Sequence, residues 1–322
     1  MSSLILLILL SSFFDLLNGL RDASNFVSTI ISTRTLSPRK ALAMAAVSEF
    51  SGPFIFGVAV ARTFGRDLVA AHTITVEMIL AALVSGILWN LATLALGIPS
   101  SSSHAFLGGI LGAVILGAGP QAILIGGLSK IMIALFISPL LGLVIGYLIT
   151  QAVYLLSRQA SPRVNHLFRL GQIPAAIGMA MGYGANDAQK TMGMITLALV
   201  TTGYLDHFQV PIWVEALSAG SIAVGMAIGG WSLIRTLGGK FYNIRPVHGF
   251  SAQAAAALVV LSAAVLGGPA STTQVVTSSI LGAGSAERVN QVRWNVAGGI
   301  VMAWLLTIPI CALIGAGVLL VL

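Results

Sequence analysis

Nine apolar runs of about 20 residues punctuate this chain of 322 residues, near 2–20, 41–61, 78–98, 104–127, 131–156, 173–200, 212–234, 250–267 and 295–322. A helix of that length crosses roughly 30 Å of hydrocarbon. Only 8% of the residues are charged, against roughly 25% in soluble chains, so the solvent of this chain is a bilayer. The strict polar–apolar alternation of a membrane barrel is absent. The 36 glycines and 11 prolines suit close helix packing and broken helices. The expected fold is an all-α polytopic membrane protein of about 10 membrane segments.

The net charge of +7 does not call for nucleic acid. The basic residues lie mostly in short loops, "RTLSPRK" (34–40), "RQASPRVNHLFR" (158–169) and "RTLGGKFYNIRP" (235–246), the bias of loops facing the cytoplasm. The lone Cys311 sits in the last apolar run and excludes disulfides and a thiolate metal cluster. "MSSLILLILLSSFF" looks like a signal peptide, but it lacks a basic start and runs straight into Asp15 and Asn18. It reads as the first transmembrane helix.

The chain is duplicated. "PSSSSHAFLGGILGA" from Pro99 and "PASTTQVVTSSILGA" from Pro269 align at an offset of 170, which pairs Ser101 with Ser271, Ser102 with Thr272, Ser103 with Thr273 and Gly112 with Gly282. "NGLRDASNFVST" and "GYGANDAQKTMG" align Asp22 with Asp187 at an offset of 165. The expected organisation is a first transmembrane repeat (1–157), a basic linker (158–170) and a second repeat (171–322). Equivalent loops carry opposite charge bias: 34–40 is basic and 201–211 is not, whereas 62–77 is balanced and 235–248 is basic. That reversal predicts inverted repeats. Inversion needs an odd number of crossings per half, so each hydroxyl segment is expected to add a net crossing as a broken or hairpin-like helix.

The charges within or beside the apolar runs are Asp15, Arg21, Asp22, Glu49, Asp187, Lys190 and Glu215. For Asp15 and Glu215, placement at the membrane surface is an equal reading. Asp22 and Asp187 occupy equivalent positions among Asn18, Gly19 and Asn25, and Gly184, Asn186 and Gln189. A glycine shortly before each acid loosens the helix, and freed carbonyls beside a carboxylate suit a cation or proton. The hydroxyl motifs supply the complement. One hydroxyl caps a helix; four in a row, echoed by three, exceed capping and, with the helix dipole, make an oxyanion site. With Arg21 and Lys190 close by, the implied cargo is a small tetrahedral anion.

These motifs resemble those of the inorganic phosphate transporter (PiT) family. "NGLRDASNFVSTIISTRTLSP", "GANDAQKTMG", "GIPSSSSHAFLGGILG", "STTQVVTSSILGAGSAERVNQVRWNVA" and "RPVHGFSAQ" follow its motifs in order over nearly the whole chain. The resemblance implies a secondary transporter, not an enzyme. It would move orthophosphate with Na⁺ or H⁺, without a further cofactor, in a prokaryotic plasma membrane and often as a homodimer. It places Ser101, Ser102, Ser103, Ser271, Thr272 and Thr273 at the anion, with Asn25, Gln189, Lys190 and Arg21. Asp22, Asp187, Asn18 and Asn186 fall to cation coupling, with Na⁺ at Asp22, Asn25 and Asp187. Three positions depart from the family pattern: Arg21 and Gln274 stand where His is usual, and Gln253 where Glu is common. Lys190 replaces an Asn of sodium-type members, so the coupling ion is less defined than the substrate. Sulfate, carried by a related branch, is the alternative cargo. An intramembrane aspartyl protease would need Tyr-Asp and Gly-x-Gly-Asp motifs, but Asp22 follows Arg and Asp187 follows Asn. A channel would leave the paired acids idle.

Overall fold

A computed structural model of the chain describes residues 2–98, 100–159, 164–229, 245–287 and 294–322. Pro99, Trp231, the basic loop at 235–244, linker residues 160–163 and motif residues 288–293 lie outside the described residues. The elements of the first half are α1 (Ser2–Ser32), α2 (Pro38–Phe56), α3 (Ala59–Arg62) running into a π-turn (Thr63–Asp67), α4 (Val76–Leu96), α5 (Ser102–Ala118) and α6 (Ile125–Leu156). Those of the second are α7 (Val164–Tyr183), a π-turn (Gly184–Ala188), α8 (Gln189–Thr201), α9 (Ile212–Ile228), α10 (Pro246–Val265), α11 (Thr272–Ser285) and α12 (Trp294–Leu319). The basic stretch expected as a linker is already helical from Val164. Among the described residues five helices are long and apolar enough to span a membrane, six when α2 and the α3 segment, bent by 70°, count as one.

Local chemistry sets the breaks. Thr75 caps α4 by accepting the Met78 N–H, and Gly97, in the left-handed conformation, ends it. Ser101 caps α5 by accepting the His104 N–H at 3.2 Å. α5, of 17 residues, and α11, of 14, extend only about 25 and 21 Å at 1.5 Å per residue. Neither crosses hydrocarbon alone.

Contacts fix the directions. Thr33 donates to Gln172 at 2.8 Å and Thr191 to Asp15 at 2.6 Å, so α1 and α7–α8 run in opposite senses. Thr33 and Gln172 also flank Gly249, while Tyr154 bonds His248 and Gln151 donates to the Ala286 carbonyl. These residues mark one end of the bundle, which carries Arg34, Arg39, Lys40 and Arg245. At the opposite end Ala70 donates to the Ala122 carbonyl, and Gly117 packs against Met78 and Leu319. The pair α4–α5 therefore opens at that end, and α10–α11 opens at the basic end. Each is a hairpin that returns to the end it came from. The expected net crossing by the hydroxyl segments is corrected: α1, α2–α3 and α6 run from end to end, and the hairpin adds none.

Small residues permit the close approaches on which association in lipid depends. A Cβ on Gly19 would lie 2.0 Å from the Ile222 carbonyl oxygen in α9, and one on Gly184 would lie 1.8 Å from that of Glu49 in α2. Phe106 packs in the core at a centroid distance of 5.6 Å from both Phe14, tilted, and Phe64, edge-on. Met179, Met192 and Met194 are buried in the packing, and Met181 is half-buried. Trp213 is exposed, in keeping with interfacial anchoring, but Trp304 is buried because its face of α12 packs inward. His104 lies in α5 and His166 in α7.

Candidate functional site

The two hairpin tips meet. Ser271 Oγ donates to Ser101 Oγ at 2.7 Å, and Gln274 Nε2 lies 3.4 Å from His104 Nδ1; both pairs are 170 positions apart. The N-termini of α5 and α11 thus face one another, and their first-turn N–H groups have no helical acceptors. Ser103 donates to the Ala270 carbonyl at 3.2 Å, tying one tip to the other. Ser102 is half-buried, and Thr272 and Thr273 are buried.

The acidic helices flank this junction. Thr272 hydrogen-bonds the Asp22 carboxylate, and Asn25 Nδ2 donates to Thr273 Oγ1 at 3.3 Å. Asp187 lies in the π-turn within Coulombic reach of Asp22. Asp187 is ion-paired with Lys190, and both are fully buried. Oδ2 of Asp22 and of Asp187, and Oδ1 of Asn186, have no hydrogen-bond partner among the described residues. A buried polar atom left bare is costly, which makes these three atoms candidates for contact with a ligand. The two acids differ in their backbone. The π-turn at 184–188 interrupts the helix at Asp187, as π-turns often do at functional sites, but α1 runs unbroken past Asp22. The loosened helix expected at both acids exists only at the second.

Two residues expected at the anion do other work. Gln189 Oε1 accepts from Val60 N at 2.8 Å and Ala61 N at 3.1 Å, while its Nε2 donates to the Gly57 and Ala185 carbonyls. All four bonding capacities of the amide are used, and they clasp the break between α2 and α3. Gln189→Leu should therefore lower stability, by about 1–3 kcal/mol for each group left bare. Thermal unfolding of the purified protein, alongside phosphate titration, checks this; unchanged stability with weakened phosphate binding would return Gln189 to the anion. Arg21 is the second. Its guanidinium is held by Asn90 Oδ1, the Ser100 carbonyl and Ser100 Oγ, so it pins the first hairpin tip at depth. Asn18, expected at the cation, accepts from Asn90 at 3.2 Å and belongs to the same support. Asn186 does the equivalent for the second tip, donating to the Gly268 carbonyl at 3.3 Å.

The structure adds residues that the motifs do not single out. Glu49 is fully buried with both carboxylate oxygens unpartnered among the described residues, and Tyr183 is buried with its hydroxyl likewise bare. Glu49 stands within Coulombic reach of Asp22 and Asp187. A lone glutamate inside an apolar run was the available signal.

Comparison with known proteins agrees with this architecture. The profile of the Phosphate transporter family matches residues 18–162 and 152–315. A protein of Rhizobium meliloti (strain 1021) named "Probable low-affinity inorganic phosphate transporter" is 43% identical over 312 residues, covering 96% of this chain and 93% of its own. A Bacillus subtilis (strain 168) protein of the same name is 41% identical over 316 residues, covering 97% and 95%. A solved structure named "The sodium-dependent phosphate transporter" superimposes with a TM-score of 0.89 at 23% identity, over 100% of this chain and 99% of that one; the fold is shared. With matches of this extent, the chain belongs to the phosphate transporter family, and it is a multi-pass membrane transporter, not an enzyme.

Proposed function

We propose that the chain imports inorganic phosphate in symport with Na⁺, by alternating access about a site where two inverted repeats meet. One observation carries the reading: two hairpins entering from opposite ends touch through Ser101 and Ser271, which are equivalent residues of the repeat. Contact between equivalent residues is what a pseudo-twofold axis between the halves would produce, and the opposite courses of α1 and α7 fit the same axis. The packing agrees, since α1 on α9 is answered by α7 on α2, and α5 on α12 by α11 on α6. Inverted-repeat transporters hold substrate at such an interface. The basic end is the cytoplasmic one by its loop charges.

Phosphate sits between the facing N-termini of α5 and α11, held by Ser101, Ser102, Ser103, Ser271, Thr272 and Thr273 and by backbone N–H groups. Asn25 and Lys190 border it. The coupling ion sits at Asp22 with Asn25. Asp187 is neutralised by Lys190, a built-in cation, so the two halves are not equal partners in coupling. The structural neighbour is itself named as sodium-dependent. Equilibrium ³²P-phosphate binding to purified protein tests the anion site. Ser102→Ala and Thr272→Val should each weaken binding about 10-fold or more, as expected for a lost hydrogen bond to a charged ligand of about 1.5–3 kcal/mol. Sulfate should compete poorly. Unchanged affinity in both variants would reduce the hydroxyls to helix caps, and preferential displacement by sulfate would change the cargo.

A further inference from the structure

Four carboxylates, Asp15, Asp22, Glu49 and Asp187, and two permanent cations, Arg21 and Lys190, are all more than nine-tenths buried in the bundle. Lys190 is paired with Asp187, and Arg21 is held by Asn90 and the first hairpin tip. The ionised set is short of positive charge, and an uncompensated buried carboxylate is strongly disfavoured. The coupling site accounts for Asp22. It leaves Asp15 without a role.

Asp15 lies seven residues before Asp22 on α1, two turns away on nearly the same face. Its Oδ2 accepts the Thr191 hydroxyl at 2.6 Å, and Ser218 hydrogen-bonds the carboxyl group. Thr191 Oγ1 is also 3.3 Å from Ser218 Oγ and 2.8 Å from the carbonyl oxygen of Ala188, the last residue of the π-turn. One carboxylate, two hydroxyls and a carbonyl are thereby gathered from α1, α8 with its π-turn, and α9. Two more buried oxygens stand on the same face of α1. Asp15 Oδ1 has no hydrogen-bond partner among the described residues, nor has Ser11 Oγ, one turn earlier and fully buried. A purely structural aspartate would have both oxygens bonded. Six hard oxygens around one negative charge are the surroundings that a dehydrated Na⁺ needs, and hydroxyl hydrogens can turn away to admit it.

We propose that Asp15, Thr191, Ser218 and the Ala188 carbonyl, with Ser11 beside them, form a second Na⁺ site, nearer than Asp22 to the end opposite the basic loops. The proposal rests on the sodium-coupled reading above. An ion there ties α1 of the first half to α8 and α9 of the second, so its occupancy links the halves.

The test is ²²Na⁺ equilibrium binding to the purified full-length protein at fixed pH, paired with the Na⁺ dependence of ³²P-phosphate uptake in proteoliposomes. Wild type is compared with Asp15→Asn, Thr191→Val and Ser218→Ala. Asp15→Asn and Thr191→Val should each bind one Na⁺ fewer per chain and lower the Hill coefficient for Na⁺, while phosphate still binds. Thr191→Val and Ser218→Ala keep every charge, so they carry the test where Asp15→Asn does not fold. Sodium-driven uptake in wild type with an unchanged Na⁺ count in Thr191→Val and Ser218→Ala overturns the second site and leaves coupling intact. A wild type that transports phosphate but binds no Na⁺ overturns the coupling reading itself.

Discussion

Asp22→Asn should abolish sodium-driven phosphate accumulation, lowering the initial rate at least 100-fold, to the level of empty liposomes. The carboxylate is buried, receives the Thr272 hydrogen bond and has no hydrogen-bond partner for Oδ2 among the described residues. Asparagine preserves the volume and one acceptor but removes the charge that binds a cation. The same substitution should erase stabilisation by Na⁺, which amounts to about 2.7 kcal/mol when the ion is present at 100 times its Kd. Unfolding of the detergent-solubilised protein with and without Na⁺ reads this directly. Sodium-driven uptake at near the wild-type rate in Asp22→Asn would remove Asp22 from coupling.

Lys190→Asn should have the second-largest effect, and of a different kind. Lys190 and Asp187 are a fully buried ion pair, and removing one partner of such a pair costs about 3–5 kcal/mol because the other charge is left bare. In sodium-free buffer the variant should be destabilised by that order. Added Na⁺ should restore much of the loss, since an ion can take the place of the ammonium beside Asp187. Uptake should then depend more steeply on Na⁺ than in the wild type. A variant as stable as wild type without Na⁺, with the same steepness of uptake, would show that Lys190 does not stand in for a cation.

The parts of the site that were legible in the sequence are those that symmetry carries into space. An offset of 170 aligns Ser101 with Ser271, and those residues touch; the acids of the repeated motif, Asp22 and Asp187, flank them. The hydroxyl segments were legible as broken or hairpin-like helices, but their return to the end they came from was not. The composition of 78–98 does not distinguish a helix that crosses from one that turns back, because the turn is held by a distant group, Arg21 of α1, which bonds Asn90 and Ser100. Gln189 illustrates the same limit from the other side. It sits in an acidic motif next to Lys190, but its amide is consumed by backbone groups 128 and 129 positions away. Asp15 and Glu215 offered the same two placements from their surroundings in sequence. Only packing separates them, since Asp15 is fully buried under α8 and α9 and Glu215 is half-buried in the first turn of α9.

The central claim is that phosphate and Na⁺ share the junction of the two hairpin tips and move together. Initial ³²P-phosphate uptake into proteoliposomes of the purified chain tests it most directly, with an inward Na⁺ gradient set against an equal K⁺ gradient and an imposed pH gradient. The expected result is concentrative uptake with Na⁺ alone and its loss when the Na⁺ gradient is collapsed. Uptake that ignores Na⁺ and follows the pH gradient would contradict it.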